Sequence, residues 1–244
     1  MKIQLLSDTH GSPYTLHPEA DVIAHAGDFG NGLAAMRQFQ AACNEAGKPY
    51  VFVLGNHDYY HENMSDVRLQ LRDEPYLRAG KTVQINGWTF VGGTLFSNFR
   101  QHQVSAGQFE QNCNLAQVSV ADFAYIFDYL PNSPNERRIT PEDYVRLYNE
   151  EWAWIRQFRG AADTIVLTHF PPNAACTAPQ FAESPLNPYF INDVDLTGFA
   201  YWFAGHTHTA MDANIQGCRV VINPLSYPNE IGRNGYRDGC LIEV

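Results

Sequence analysis

Three short apolar runs, Lys2 to Leu6 (KIQLL), Asp21 to His25 (DVIAH) and Tyr50 to Leu54 (YVFVL), each break off into a polar turn that contains glycine: SDTHG, AGDFGNG and GNHD. Runs this short, rich in Val, Ile and Leu and closed by turn formers, read as buried strands. Between the second and third, Leu33, Met36, Phe39 and Cys43 recur at helical spacing within Leu33 to Ala46, and Gly47 and Pro49 close the stretch. Strand, crossover helix and parallel strand make this an α/β chain. Folds of that class place their sites at the carboxyl ends of parallel strands, so the three polar turns are where chemistry is expected.

The remainder extends the same pattern. Thr82 to Ile85 and Thr89 to Val91 flank Asn86-Gly87, a strong hairpin dipeptide. Thr140-Pro141-Glu142-Asp143 starts a helix with a cap, a proline at its first position and acids in its first turn. Tyr144, Leu147, Tyr148, Glu151, Ile155 and Phe158 continue it, all apolar except Glu151. Further strands are expected at Thr164 to Thr168, Phe199 to Ala204, Ala213 to Gln216, Cys218 to Asn223 and Gly239 to Val244, with a tight hairpin at Gly217. Residues 97–138 fit none of this and are expected to be an insertion over the main fold, with a loop around Pro131 to Asn135. No linker, repeat or low-complexity tract divides the 244 residues, which are read as a single domain 1–244.

Sixteen Lys and Arg against 26 Asp and Glu leave a net charge of −10, which argues against bulk binding to nucleic acid or to an anionic membrane. The five cysteines are scattered, with no CxxC pair, and are read as reduced core thiols. The longest apolar stretch, Gly198 to Gly205, is far below the roughly 18 residues of a membrane span, and Met1 to Leu6 is too short for a leader. A soluble, cytoplasmic protein is expected; oligomeric state is left open.

The polar residues that follow the strands are Asp8 and His10, Asp28, Asn56 and His57, His169, and His206 and His208. Seven of these eight are good transition-metal ligands, and their clustering at strand ends is the informative feature. Asp8/His10 and His206/His208 are i, i+2 pairs; in extended chain both members point to one side, about 6–7 Å apart. Such a pair serves two ions with one ligand each, or one ion with both. Imidazole and carboxylate without thiolate suit Mn, Fe, Zn or Ni. Glycines at positions 11, 27, 55 and 205 let the backbone turn sharply beside them.

In order, D-x-H (Asp8-Thr9-His10), G-D (Gly27-Asp28), G-N-H-D (Gly55 to Asp58), a lone His169 after a strand, and G-H-x-H (Gly205 to His208) resemble the calcineurin-like metallophosphoesterase superfamily. Gly92-Gly93-Thr94-Leu95-Phe96 and Asn223-Pro224 are similar to a bacterial subgroup of it. The resemblance implies a four-layer α/β/β/α sandwich of two mixed sheets with flanking helices. It implies that Asp8, His10 and His208 hold one divalent metal ion and Asn56, His169 and His206 a second. Asp28 would bridge the two, and His57 would act as catalytic general acid. The implied activity is hydrolysis of a small phosphomonoester or phosphodiester. A hydroxide between the ions attacks phosphorus in line, and His57 protonates the departing alkoxide. Ions and ligands together then carry about one net positive charge, enough to draw a phosphate to an acidic protein. Where protein Ser/Thr phosphatases continue the G-D block with an acid and an arginine, this chain has Phe29-Gly30-Asn31-Gly32, which puts protein phosphatase activity in doubt.

Two other readings stay open: a non-catalytic binding scaffold of the same fold, which loss of ligands would mark, and a metal hydrolase acting on a non-phosphate ester or amide, which an early H-x-H block would mark. His17, His25, His61 and His102 fall outside the motif, although His25 stands close enough to Asp28 to support a ligand. Asp58 is either a turn residue or orients His57. Tyr59, Tyr60, Tyr125, Phe127 and Tyr129 are read as packing, and Arg37, Arg100, Arg137 and Arg138 as solvated surface.

Overall fold

The computed structural model describes residues 1–102 and 104–244. The strands are β1 (Lys2–Leu6), β2 (Val22–Ala26), β3 (Tyr50–Val53), β4 (Thr82–Ile85), β5 (Trp88–Gly93) and β6 (Phe127–Tyr129), then β7 (Glu136–Arg138), β8 (Thr164–Thr168), β9 (Tyr201–Ala204), β10 (Met211–Ile215), β11 (Cys218–Ile222) and β12 (Leu241–Glu243). The helices are α1 (Ala34–Glu45), α2 (Met64–Gln70), α3 (Ala106–Ser119), α4 (Asp122–Tyr125), α5 (Pro141–Ile155) and α6 (Asn187–Phe190). One sheet has the order β12-β1-β2-β3 and the other β10-β11-β9-β8-β5-β4, while β6 and β7 form a separate hairpin. Strands β1, β2 and β3 run parallel, as do β5, β8, β9 and β11; β12, β10 and β4 close edges in antiparallel sense.

The period-two alternation of the strands builds the layers. Ile3, Leu5, Val22, Ala24, Val51 and Val53 turn inward and meet Phe90, Ile165, Leu167, Phe203 and Val221 of the second sheet. Their neighbours Leu6, Ile23 and Phe52 face the other way, against Met36, Phe39 and Cys43 of α1 and Met64 and Val67 of α2. On the far side Val91, Val166, Trp202 and Val220 pack on Tyr148 and Ile155 of α5. Each such side chain contributes about 1.5–3 kcal/mol on burial. Helices, sheet, sheet and helix are the four layers that the resemblance implied. All five cysteines are free and buried. Among the described residues no helix is long and apolar enough to cross a membrane.

The 97–138 segment is structured where only a loop had been legible. It contains α3, α4 and the β6–β7 hairpin, and the Pro131–Asn135 loop is the hairpin's turn. Helix α3 buries Cys113 and Ala116 beside the polar Asn112, with Phe109 packed against the same core; the stripe is real but narrow, built mostly of small side chains. Helix α5 ends at Ile155 and tightens into a 3-10 turn through Phe158.

Glu151, the more deeply buried of two acids on the inner face of α5, has a specific place. Its carboxylate lies under the end of β5 and accepts the Leu95 N–H at 2.5 Å. A Cβ on Gly93 would stand 2.6 Å from that carboxylate, and one on Gly92 would strike the Leu167 carbonyl, so the double glycine follows from close approach. Burial pushes the Glu151 carboxyl from 4.5 up to about 7. A raised carboxyl keeps its proton in the folded chain after the unfolded chain has lost it, so this contribution is full below pH 4.5 and is lost as pH rises through 7. Glu151→Gln is expected to flatten the dependence of Tm on pH across that window. Thermal melts of both proteins check this, and an unchanged slope contradicts it.

Candidate metal centre

The site is assembled from the segments that leave β1, β2, β3, β8 and β9 at their carboxyl ends. The ladder between β1 and β2 carries on past the strands, with Asp8 N–H on Gly27 O at 2.9 Å, His10 N–H on Asp28 O at 3.1 Å and Gly11 N–H on Phe29 O at 2.7 Å. This holds the first two turns side by side. The chain through Asn223-Pro224 returns over the same place: Asn223 Nδ2 donates to Leu5 O at 2.9 Å, and Ser226 N–H to Asp8 O at 2.7 Å.

The expected extended geometry of the i, i+2 pairs does not hold. Asp8, His10, Asp28, His206 and His208 have φ of 51°, 45°, 58°, 71° and 51°, all left-handed. Asp and His tolerate this region better than most residues, yet each such residue costs about 1–3 kcal/mol. The strain curls each turn so that its donor atoms converge. Asn56 is likewise helical (φ −67°, ψ −38°) at the start of a 3-10 turn, and helical rotation instead of strand alternation parts its side chain from that of His57.

All seven proposed ligands meet in two adjoining groups. In the first, His10 Nε2 lies 3.0 Å from His208 Nε2, and His208 Nε2 lies 3.6 Å from Asp8 Oδ1. In the second, His169 Nε2 lies 3.1 Å from Asn56 Oδ1 and 3.2 Å from His206 Nδ1. Asp28 Oδ2 stands between them, 3.8 Å from His10 Nε2 and 3.5 Å from His169 Nε2. Ligands about 2.0–2.2 Å from an ion and at right angles around it are separated by about 3 Å. Asp8 and Asp28 are 0% and 2% exposed, and among the described residues neither pairs with Lys or Arg. Buried carboxylates of this kind call for cations, and the nitrogen and oxygen donor set fits transition metals.

Burial opposes both charges of the Asp28–His169 pair, but their mutual attraction prevails. The carboxyl is held well below its usual range and the imidazole is lifted to about 9. Burial pushes His10 down to about 4, toward the neutral form that binds metal.

Other residues hold this arrangement in place, and several carried no local signal. Asp58 does not reach the His57 ring. It is fully buried and accepts the N–H groups of Asp28, Phe29 and Gly55 at 2.8–2.9 Å, which ties the second turn to the third. The His57 ring is instead held through Nδ1 by Asn31 Oδ1 at 3.0 Å, on the turn where an arginine was missing. Glu230 fixes His208 through Nδ1 at 2.8 Å, and Ala26 O fixes His169 likewise at 2.8 Å. Asp122, from the 97–138 segment, accepts Asn56 Nδ2 at 2.9 Å. His25 supports backbone, accepting from Gly27 N–H at 3.2 Å and stacking on Phe29.

Beside the candidate ligands opens a cleft of about 890 Å³. Its lining includes the apolar side chains of Val120, Phe181, Leu186 and Phe190 and the polar ones of Tyr227, Asn229 and Arg233. Tyr60, read as packing, also lines it and stacks on His57 at 4.3 Å. Arg37 and Arg137 are paired with Glu74 and Asp143, and Arg100 lies over Phe109. Arg233 is the one Arg or Lys lining the cleft among the described residues.

Two stacked mixed sheets with such a donor cluster at their strand ends define a metallohydrolase-type α/β sandwich. The chain belongs to the calcineurin-like phosphoesterase family, whose model matches residues 1–210. Its fold is similar to that of the phosphopantetheinyl hydrolase of Mycobacterium tuberculosis, with a TM-score of 0.69 and 16% identity over 100% of this chain and 95% of the other. A dimetal phosphatase from Danio rerio is also similar, with a TM-score of 0.50 and 12% identity over 91% of this chain and 86% of the other. No curated protein sequence matches the chain significantly.

The glycines test the crowding. A Cβ on Gly55 would strike the Asp28 carboxylate, and one on Gly205 would stand 2.7 Å from Asp8 Oδ2. Gly55→Ala is expected to lower stability by about 1–3 kcal/mol and to reduce metal content. Thermal melts and metal analysis check this; full metal content at unchanged Tm contradicts it.

Proposed function

We propose that the chain is a dinuclear metal-dependent hydrolase of phosphoric esters, acting on a small phosphomonoester or phosphodiester. The observation that carries this reading is the pair of buried carboxylates, Asp8 and Asp28, set among five further nitrogen and oxygen donors without a Lys or Arg partner among the described residues. Asp8, His10 and His208 would hold one ion, Asn56, His169 and His206 the other, and Asp28 would serve both. Mn, Fe, Zn and Ni all suit these donors. Divalent ions held by these residues would supply Lewis acidity toward a phosphoryl group and lower the pKa of water.

The chain's own residues do the rest. Asn31 Oδ1 accepts the proton on His57 Nδ1, which leaves Nε2 for proton transfer on the cleft side, 3.4 Å from the Tyr227 hydroxyl. His57 delivers a proton from Nε2 to the leaving oxygen. Its backbone N–H donates to Asp28 Oδ1 at 2.9 Å, so the acid is held in register with the bridging carboxylate. Arg233 meets a second anionic group of the substrate, and the cleft's apolar side chains receive its organic part. A cleft of this size accommodates a ligand well beyond inorganic phosphate.

Asp28→Asn is expected to lose more metal and activity than Asp8→Asn, because its charge serves two ions. Two full equivalents of metal in Asp28→Asn would sink the bridging role. His57→Ala should keep both metals and lose about 10²–10⁴-fold in kcat on an alkyl phosphate ester, with a much smaller loss on a nitrophenyl ester whose leaving group needs little protonation. Equal losses would assign His57 to phosphate binding. A panel of phosphomonoesters, phosphodiesters, amides and lactones assayed with Mn²⁺ tests the reading as a whole; turnover of amides or lactones alone would overturn it.

A further inference from the structure

We infer that Asp122 is a positioning residue for Asn56, so that the 97–138 insertion completes one of the two metal positions. The inference rests on the dinuclear reading above. Asp122 is fully buried, and its carboxylate accepts four hydrogen bonds. Oδ1 takes Asn56 Nδ2 at 2.9 Å and the Tyr60 hydroxyl at 2.6 Å; Oδ2 takes the Tyr144 hydroxyl at 2.6 Å and the Tyr189 hydroxyl. The donors come from the third turn, from α5 and from α6, so three parts of the main fold close on one side chain of the insertion.

The chemistry of the amide makes this more than packing. Asn presents an oxygen on one side and an NH₂ on the other, in nearly the same shape, and only the oxygen is a metal ligand. An ionised carboxylate accepts and cannot donate, so Asp122 selects the orientation with Nδ2 toward itself. Asn56 Oδ1 is thereby turned onto His169 Nε2, at 3.1 Å. The hub reaches the same position by a second route, since the Tyr189 ring stands edge-on to the His206 ring at 5.7 Å. Asp122 makes no hydrogen bond or ion pair to Asp8, His10 or His208. Its effect is therefore selective for the position formed by Asn56, His169 and His206.

The test is manganese loading of the full chain, read as ions per chain, as affinity for each ion and as the electron paramagnetic resonance of a coupled pair. Wild-type protein is expected to bind two Mn²⁺ with a coupled signal; a wild type that never binds two overturns the dinuclear reading and this inference with it. With two bound in wild type, Asp122→Asn and Asp122→Ala are expected to weaken the second ion at least tenfold. The first should be unmoved, and an uncoupled signal should replace the coupled one. Tyr144→Phe, which removes a donor without touching Asn56, should lower Tm yet keep two coupled ions. The reciprocal pair Asn56→Asp with Asp122→Asn keeps one N–H···O contact between the two positions and should recover the second ion. Should Asp122→Ala fail to fold, Asp122→Asn and the reciprocal pair decide. Two coupled ions at wild-type affinity in folded Asp122→Asn overturn the inference.

Discussion

Two carboxylates buried side by side, with imidazoles and an amide around them and no Lys or Arg partner among the described residues, set the terms for everything near them. Such a group is costly until cations arrive, and the surrounding chain is organised to hold it ready for them. Asp58 gathers three N–H groups of the neighbouring turns at 2.8–2.9 Å, and the β1–β2 ladder extends to within the ligand loops. Five of the seven candidate ligands sit in left-handed backbone, a conformation that persists only where surrounding structure over-determines it. The two sheets supply that determination. Their interior is continuous apolar packing from Ile3 to Val221, which anchors the strands whose ends carry the strain.

Much of this was legible in the chain itself, because the signals were local. Strand, polar glycine turn, helical stripe and strand recur over short windows, and the ligand types stand directly after the strands. The five blocks in order then named the family. What stayed hidden was whatever depends on distant residues. Helix α3 packs Phe109, Cys113 and Ala116 on the core beside a buried Asn112, a face too narrow and too polar to stand out as an apolar period. Asn31 on His57, Glu230 on His208 and Asp122 on Asn56 are contacts across 26, 22 and 66 residues, made by side chains that look like ordinary surface acids and amides.

The backbone of the ligand turns was hidden for a different reason. An i, i+2 spacing is compatible with extended chain and with left-handed turns, and both bring the donors to one side. Only the full set of packing constraints chooses. The double glycine at the end of β5 was visible as a motif but not as a cause; Gly93 makes room for the Glu151 carboxylate, contributed from 58 residues further on, and Gly92 for the Leu167 carbonyl of the adjacent strand.

Residues Ser119, Val120 and Ala121 line the cleft, and the next residue in the chain is Asp122, bonded to Asn56. This part of the cleft lining and the acceptor of the Asn56 amide are thus consecutive links of one short segment. A displacement of that lining is a displacement of the anchor. Reshaping the cleft here therefore carries a cost at Asn56, and the stretch with Asn229 and Arg233 carries its own, because Glu230 between them holds His208 through Nδ1. Changes that alter what the cleft accepts while leaving both anchors in place have their freedom at Phe181 and Leu186, whose side chains hold neither Asn56 nor His208.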